Sequence, residues 1–309
     1  MLLEIIFILS SFVVLFKASN YLVDSSVKLS AYLGFPEFII GFLVIAIGTS
    51  LPELSVSTIS SIVGDPNISI GNIVGSNIVD LSFVLGISLL VYKKLKIESE
   101  TLLRDIFASM LLSIGPLFLI SFSTPHPLLG IFFIILFIYY LREVLKEKQL
   151  KREIEVKPKE AVFAGILIIP SLVLVLLSSY LITFFGEGLA VKFSIPSFLV
   201  GTTIIAFGTS LPELSTILMA MKKGHNYLAW GNIMGSLVTN STLVLGVTCL
   251  FIEKHVFIKG LFPAVVLLFI FEIIIAIAAK MDREMRWVDG LSFLTAYFFY
   301  IFLEFLINV

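Results

Sequence analysis

Two copies of one eight-residue stretch place a carboxylate and several hydroxyls inside long apolar runs. The first copy, Gly48–Ser55, reads GTSLPELS, and the second copy, Gly208–Ser215, repeats it letter for letter. A bilayer core has no water for a backbone group freed by proline, so such a break survives only against a cavity or a polar partner. An acidic side chain at that depth indicates a functional site. Glu53 and Glu213 are therefore the first candidate ligands.

A second pair of stretches adds further oxygen-bearing side chains. Gly71–Asp80 reads GNIVGSNIVD and Gly231–Asn240 reads GNIMGSLVTN. Ser76 and Asp80 are four residues apart and so share one helix face. Ser236 and Asn240 repeat that spacing. We predict that these four side chains bind a ligand and that the glycines of the same stretches let helices approach closely.

The residue types around the prolines favour a hard cation. Proline removes a backbone donor and frees the carbonyl four residues earlier, which is that of Gly48 in the first copy. The carbonyls of Ala46 and Ala206 lie close enough in sequence to turn into the same cavity. Carbonyls, hydroxyls and carboxylates are ligands for Ca²⁺ and Na⁺, whereas softer metals prefer His or Cys. The three histidines all fall in predicted loops: His126, His225 and His255.

The charge of these stretches points to ion exchange. Glu53, Asp80 and Glu213 supply three negative charges if all are ionised, and the four stretches contain no Lys or Arg. An unpaired buried carboxylate costs several kcal/mol, so these groups must bind cations or protons. One Ca²⁺ leaves one charge uncompensated, while several monovalent ions neutralise all three. Such a site suits a protein that binds the two kinds of ion in turn.

The composition is that of an integral membrane protein. The chain has 309 residues, of which 58% are hydrophobic and 14% charged, and its mean hydropathy is +1.08. Soluble domains carry about 25% charged residues. The net charge of −1 provides no basic field for a nucleic acid. We predict an all-α protein embedded in the lipid of the cell membrane, without a cofactor.

Ten apolar runs are long enough to cross a bilayer, which takes roughly 20 residues. They lie near residues 3–28, 37–61, 68–91, 102–121, 126–142, 161–185, 197–220, 227–251, 259–279 and 287–307. The segment Pro36–Gly86 matches Pro196–Gly246 without a gap, at an offset of 160 residues. Five spans in each half is an odd number, so the second copy enters from the opposite side, as in many transporters. We predict two inverted five-helix repeats, 1–143 and 161–309, joined by a linker over 144–160.

The distribution of Lys and Arg predicts the orientation. With the linker in the cytoplasm, the opposite side keeps only Lys192, Lys254 and Lys259 among the loop cations. Because cytoplasmic loops are rich in Lys and Arg, both termini are predicted to be extracellular. Three charged residues lie outside the repeated stretches but within apolar runs: Lys17, Asp24 and Glu272. They either line a pathway or snorkel or pair near an interface.

The GTSLPEL pair, together with the GN-x-x-GS-x-x-x-[DN] pair, resembles the α-repeats of the sodium/calcium exchanger branch of the calcium/cation antiporter superfamily. The resemblance covers both repeat cores. It implies that helices two, three, seven and eight hold the ions at mid-membrane and that helices one and six slide across them. The ligands implied by position are Ala46, Thr49, Ser50, Glu53, Ser76, Asp80, Ala206, Thr209, Ser210, Glu213, Ser236 and Asn240.

One departure from the family concerns the last ligand of each repeat. In the archaeal pattern the amide lies in the first repeat and the aspartate in the second. Here Asp80 and Asn240 are the other way round. The number of carboxylates is kept. The swapped positions of the aspartate and the amide affect which ion occupies which sub-site.

The function that these features favour is antiport of Na⁺ against Ca²⁺ by a secondary transporter. Antiport of H⁺ against Ca²⁺ and a K⁺-dependent form of Na⁺/Ca²⁺ exchange stay open, as does a passive channel. An intramembrane hydrolase is disfavoured because Ser50 and Ser210 have no His or Lys at membrane depth to act as a base.

Overall fold

The computed structural model describes residues 2–64, 66–97, 100–113, 115, 127–146, 156–192, 206–252 and 261–308. Several predictions fall outside these residues: the middle of the linker, Pro196, Lys254 and Lys259, two of the histidines, and parts of the fourth and seventh runs. The chain forms two compact units. Unit 1 comprises Met1–Thr49 and Lys148–Asn232, and unit 2 comprises Ser50–Glu147 and Ile233–Val309.

The elements are almost all helical. In the first half of the chain they are α1 (Leu2–Leu33), α2 (Glu37–Ile40), the π-helical turn π1 (Gly41–Ala46), α3 (Ile47–Thr49), α4 (Leu51–Ile62), α5 (Pro66–Val79), π2 (Asp80–Val84), α6 (Leu85–Tyr92), the strand β1 (Lys94–Lys96), α7 (Glu100–Ser113) and α8 (Pro127–Leu145). In the second half they are α9 (Pro158–Lys192), α10 (Ala206–Thr209), α11 (Leu211–Lys222), α12 (Asn226–Val238), π3 (Thr239–Val244), α13 (Leu245–Phe251), α14 (Leu261–Met281), β2 (Glu284–Arg286) and α15 (Trp287–Asn308).

The two GTSLPEL copies interrupt their helices at the same position. Ser50 has φ −81° and ψ 6°, and Ser210 has φ −87° and ψ 3°, so neither continues the preceding helix. A new helix starts at the next residue, with Pro52 or Pro212 in its first turn. A proline there displaces no helical hydrogen bond, because those amides have no partner within the helix. The predicted break is confirmed in both copies.

Unit 1 is built on two long helices, α1 and α9, that pack along each other. Helix α11 packs against α1. Helix α12 comes so close to α2 that a Cβ added at Gly231 would lie 2.3 Å from the carbonyl oxygen of Phe38. The same is true of Gly41, whose added Cβ would lie 2.6 Å from the carbonyl oxygen of Leu228. The predicted packing role is therefore confirmed at Gly231, but it is wrong at Gly71 and Gly75, where an added Cβ would meet no described atom within 4 Å.

Unit 2 contains paired helices and one feature that the all-α prediction omits. Helix α15 packs on α6, and α13 packs on α8. The strands β1 and β2 form an antiparallel ribbon in which Lys94 lies opposite Arg286. Three residues per strand are too few for a recognisable periodic pattern, so the sequence does not reveal the strands. The ribbon places the loops after α6 and α14, both rich in Lys and Arg, at the same end of unit 2.

The helices confirm a multi-pass membrane protein. Within the described residues, six helices are long and apolar enough to cross a bilayer, or seven if the interrupted pair Glu37–Thr49 and Leu51–Ile62 counts as one span. Large apolar side chains on these helices face outward, among them Leu128 at 68% exposure and Ile169 at 69%. Each of the ten predicted runs contains a described helix.

Candidate ion-binding site

In unit 1 the predicted ligands lie on both sides of the two helix breaks. Ala46 ends π1 and Thr49 ends α3, while Ala206 and Thr209 bound α10. Ser210 and Glu213 follow at the break and in the first turn of α11, where both are buried. Within this unit, Thr49 and Glu213 meet through a side-chain hydrogen bond.

The hydroxyl of Thr49 lies within hydrogen-bonding distance of two acceptor groups. Its Oγ1 hydrogen-bonds to the carboxyl of Glu213 and also lies 3.3 Å from the carbonyl oxygen of Ala46. A hydroxyl has one hydrogen and two acceptor lone pairs, so it donates to one of these groups at a time. When a cation occupies the carboxylate, Thr49 can donate to Ala46 instead and offer its lone pairs to the ion.

Two predicted ligands of this half have buried oxygen atoms without hydrogen bonds. Within the described part of unit 1, Ser210 Oγ and Glu213 Oε2 have no hydrogen-bond partner, and neither do Ser26 Oγ and Asn232 Oδ1 outside the predicted ligands. Leaving a buried polar atom unsatisfied costs about 1–3 kcal/mol, and more for a charged group. Burying both ligand atoms without a partner therefore costs free energy, which a bound cation would offset.

The carbonyl four residues before Pro212 is used within the protein. Pro212 frees the carbonyl of Gly208, and Ser179 on α9 donates its hydroxyl to that oxygen at 2.5 Å. A Cβ at Gly208 would lie 1.9 Å from Thr183 Oγ1, so α9 approaches this break closely. Ser179 was not predicted, because nothing in its apolar run distinguishes it from a hydroxyl bonded within its own helix.

In unit 2 all of the predicted ligands are buried. They are Ser50, Glu53, Ser76, Asp80, Ser236 and Asn240, and none is more than 2% exposed. Asp80 opens π2 and Asn240 lies in π3. Turns of the π type inside α-helices occur frequently at functional sites. The repeat-related positions thus share both burial and an irregular backbone.

Predicted ligands of this half also have unsatisfied side-chain oxygen atoms. Among the described residues of unit 2, the hydroxyls of Ser50, Ser76 and Ser236 and the amide oxygen Oδ1 of Asn240 make no hydrogen bond, and neither do the hydroxyls of Thr58, Ser88 and Thr239 outside the predicted ligands. Ordinary helix chemistry would have these serines bond back to helix carbonyls, as Thr49 does. They do not, so their oxygen atoms are available to a cation.

The orientation of Asn240 depends on a residue that the sequence did not single out. Asn240 donates Nδ2–H to Asn77 Oδ1 at 3.1 Å, and Asn77 donates to Ser241 Oγ at 2.7 Å. Because its NH₂ group is engaged, Asn240 is left with Oδ1 as the atom available to an ion. The second repeat has Leu237 in place of Asn77, so the repeat pattern itself hides this partner.

Two asparagines at equivalent positions of the repeats each join two helices within one unit. In unit 2, Asn72 donates to Ser57 Oγ at 3.0 Å and to the carbonyl oxygen of Glu53 at 3.3 Å. In unit 1, Asn232 donates to Thr216 Oγ1 at 2.6 Å. Each bond ties the helix of the second motif to the helix that carries a ligand glutamate. The identity of Asn72 and Asn232 at the 160-residue offset could have revealed them.

The structure also shows the surroundings of the other titratable residues that the sequence singled out. His225 lies in the turn after α11, as predicted, and its Nδ1 is 2.9 Å from Glu37 Oε1. Asp24 forms an ion pair with Lys223 at 2.5 Å, which confirms that it is paired. Glu272 is 4% exposed and does not snorkel. The described residues contain no group of three or more His, Cys, Asp or Glu side chains placed to hold a metal ion together.

Known proteins match the chain over nearly its whole length. A family model described as "Sodium/calcium exchanger protein" matches residues 3–145 and 163–306, so the unmatched middle falls on the predicted linker. The sodium/calcium exchanger MaX1 of Methanosarcina acetivorans is 29% identical over 338 residues, covering 94% of this chain and 95% of the relative. Membrane protein MJ0091 of Methanocaldococcus jannaschii is 31% identical over 299 residues, which is 96% of each chain. A solved structure of the sodium-calcium exchanger NCX_Mj, soaked with 10 mM Na⁺ and zero Ca²⁺, matches with a TM-score of 0.85 at 30% identity, over 97% of this chain and 98% of the other.

Proposed function

The chain belongs to the sodium/calcium exchanger family, and we propose that it exchanges Na⁺ for Ca²⁺ across the cell membrane by alternating access. It is a secondary transporter and not an enzyme. The observation that carries the proposal is the set of buried, unsatisfied oxygen atoms. At the predicted ligands, these atoms belong to Ser210 and Glu213 in unit 1 and to Ser50, Ser76, Ser236 and Asn240 in unit 2.

The number and type of these ligands fit two ions of different charge. Ca²⁺ takes 6–8 oxygen ligands. We propose that all twelve predicted ligands supply oxygen, which exceeds what one Ca²⁺ needs and leaves room for several Na⁺ ions in turn. The carboxylates of Glu53, Asp80 and Glu213 provide the negative charge that either bound Ca²⁺ or bound Na⁺ must neutralise.

Alternating access would be achieved by α1 and α9 moving against the ligand-bearing helices. Two contacts in unit 1 hold α1 to α11 in this structure. Ser19 Oγ lies 2.7 Å from Ser215 Oγ, and Lys223 bridges to Asp24. Both contacts are side-chain bonds of modest strength, since a partly exposed ion pair contributes about 0–1 kcal/mol. Their weakness is compatible with repeated breaking during a transport cycle.

The proposed topology is ten helices in two inverted repeats, with a cytoplasmic linker and extracellular termini. Two contacts support this topology, because each joins two loops of one unit. They are the β1–β2 ribbon in unit 2 and the bond between His225 and Glu37 in unit 1. Both join loops that the charge distribution assigns to the cytoplasm. The test is labelling of Lys151→Cys and Lys254→Cys in intact cells, with the buried Cys249 replaced by alanine. Reaction of both positions from one side would contradict the topology.

The driving ion is tested by uptake of radioactive calcium into vesicles loaded with Na⁺, with K⁺ or with neither, at set internal pH. We expect uptake only from Na⁺-loaded vesicles. Uptake that ignores Na⁺ and follows a pH gradient would identify a proton antiporter, and a requirement for K⁺ beside Na⁺ would identify the K⁺-dependent form. Uptake down the Ca²⁺ gradient with no counter-ion would indicate a channel. The matched control is Glu213→Gln, which should show none of these fluxes.

A further inference from the structure

Helix α7 of unit 2 carries a buried polar stripe. Asp105, Ser109 and Ser113 follow one another at intervals of four residues, and none is more than 3% exposed. Four residues of α-helix rise about 6 Å, so the three groups lie one above another on one face. Ser109 Oγ donates to the carbonyl oxygen of Asp105 at 2.8 Å, and its contact with Tyr140 Oη on α8 is also 2.8 Å. Ser113 ends the stripe against α14.

The partner of Ser113 on α14 is Glu272, the acidic residue of that helix. Glu272 lies within the apolar span Ala264–Met281 and is 4% exposed. Among the described residues its one polar partner is Ser113 Oγ. It belongs to none of the predicted cation ligands, and the proposed exchange does not use it.

Among the described residues, no unpaired cation on the elements that pack against α14 compensates a negative charge at Glu272. Helix α14 packs against α5, π2, α7, β2 and α15. The cations on those elements are Arg104 and Arg286, and each already pairs with a neighbouring carboxylate, Asp105 and Glu284 respectively. On α14 itself, Lys280 is exposed and lies eight residues from Glu272, which is about 12 Å along the helix. The other titratable groups on the packing elements are acids or phenols: Asp80, Glu100, Asp289, Tyr297, Tyr300 and Glu304. A carboxylate at position 272 would therefore be an unpaired buried charge, which costs several kcal/mol.

The hydrogen bonds of Ser113 are compatible with a proton on Glu272. Ser113 Oγ lies 2.7 Å from the carbonyl oxygen of Met110, which can only accept, and it also contacts Glu272 Oε1. Ser113 has a single hydroxyl hydrogen, so it donates to one of these two groups at a time. When Ser113 donates to Met110, the contact between Ser113 Oγ and Glu272 Oε1 needs a hydrogen from Glu272. Both bonds form together only if the glutamic acid is neutral and donates its O–H to the serine.

We propose that Glu272 and Ser113 form a proton-binding site in unit 2, separate from the predicted Na⁺ and Ca²⁺ ligands, in which Glu272 holds the proton and donates it to Ser113 Oγ. The ligand is a proton bound at neutral pH. The proposal stands on the contacts of α7 and α14 and does not depend on which ions the protein exchanges.

The test is infrared spectroscopy of the purified full chain at pH 7, comparing the parent protein with Glu272→Gln. The glutamine has the shape of the neutral acid, so we expect a folded variant that lacks one protonated-carboxyl band and keeps every carboxylate band. The missing band should shift in D₂O. The matched control is Glu143→Gln, which removes a half-exposed glutamate paired with Lys146 and should remove carboxylate intensity instead. Loss of carboxylate intensity in Glu272→Gln would overturn the proposal, because it would show an ionised Glu272.

A second variant tests the hydrogen bond by itself. Ser113→Ala removes the acceptor of the Glu272 O–H, so the protonated-carboxyl band should persist and move to the higher frequency of a carboxyl without that bond. Ser113→Thr keeps a hydroxyl and should leave the band in place. A band that does not move in Ser113→Ala would overturn the assigned donor and acceptor, whether or not Glu272→Gln folds. Because the readout is spectroscopic, failure of calcium exchange in vesicles would leave this result standing.

Discussion

Replacement of Gly231 by alanine tests the close packing that positions the ligands of unit 1. The added Cβ would lie 2.3 Å from the carbonyl oxygen of Phe38 and 3.0 Å from its carbonyl carbon and Cα. All three atoms are backbone, so no side-chain rotation relieves the contact. A close carbon–oxygen contact in proteins is about 3.3 Å, so the segments must separate by about 1 Å.

The expected magnitude follows from two opposing effects. Overpacking of a tight contact costs about 1–3 kcal/mol, and this contact lies at the upper end because only backbone can move. Alanine in place of glycine returns up to about 1 kcal/mol of helix propensity. We therefore expect Gly231→Ala to lower the free energy of unfolding by about 2 kcal/mol. Because α2 leads directly into Ala46 and Thr49, the same displacement should reduce calcium exchange by about tenfold or more, as a shift of about 1 Å does at other sites.

The assay is thermal unfolding in detergent together with calcium uptake in vesicles, and Gly165→Ala is the matched control. Gly165 lies inside α9 of the same unit, and no described atom lies within 4 Å of its added Cβ. That variant should be neutral or more stable than the parent, by up to about 1 kcal/mol. If Gly231→Ala is as stable and as active as Gly165→Ala, the close approach of α12 to α2 is wrong.

Three further predictions concern the ligands and are measured as Na⁺-dependent calcium flux. Glu53→Gln or Glu213→Gln should abolish flux, since each carboxylate supplies negative charge to bound Na⁺ and to bound Ca²⁺; substantial flux in either variant would show that the residue is not a ligand. Asp80→Asn should impair Na⁺ dependence at least as much as calcium binding, and the double change with Asn240→Asp should recover part of the loss; a single variant that matches the parent would exclude Asp80 as a ligand. Asn77→Leu should weaken apparent calcium affinity by about 10–100-fold, as loss of partners that orient metal ligands does; unchanged affinity would show that Asn240 is held without Asn77.

Some features of this protein follow from local chemistry that the sequence states directly. A proline preceded by Gly-Thr-Ser cannot continue a helix smoothly, and the breaks at Ser50 and Ser210 confirm this in both copies. Apolar runs of bilayer length predict spans, and the described helices fall on those runs. The gapless 160-residue offset identified the paired motifs. These inferences succeed because each depends on residues adjacent in sequence or on simple periodicity.

The hydrogen-bond partners of the site depended on the tertiary structure. Ser179 uses the carbonyl freed by Pro212, and Asn77 orients Asn240. These pairs join residues 29 and 163 positions apart. No periodic pattern specifies which of many buried hydroxyls or amides will meet. The short β1–β2 ribbon escaped prediction for the same reason, because strands of three residues exist only through their pairing.

The protonation of buried groups was likewise decided by three-dimensional neighbours. From the sequence, Glu272 and Asp24 are both acidic residues in apolar runs, and the same alternatives apply to each. The structure separates them, because Asp24 meets Lys223, whereas among the described residues Glu272 meets only Ser113. The sequence determines which charges enter the membrane. Whether each charge is paired, protonated or offered to an ion depends on what the folded chain brings within about 3 Å of it, since hydrogen bonds act only at that range.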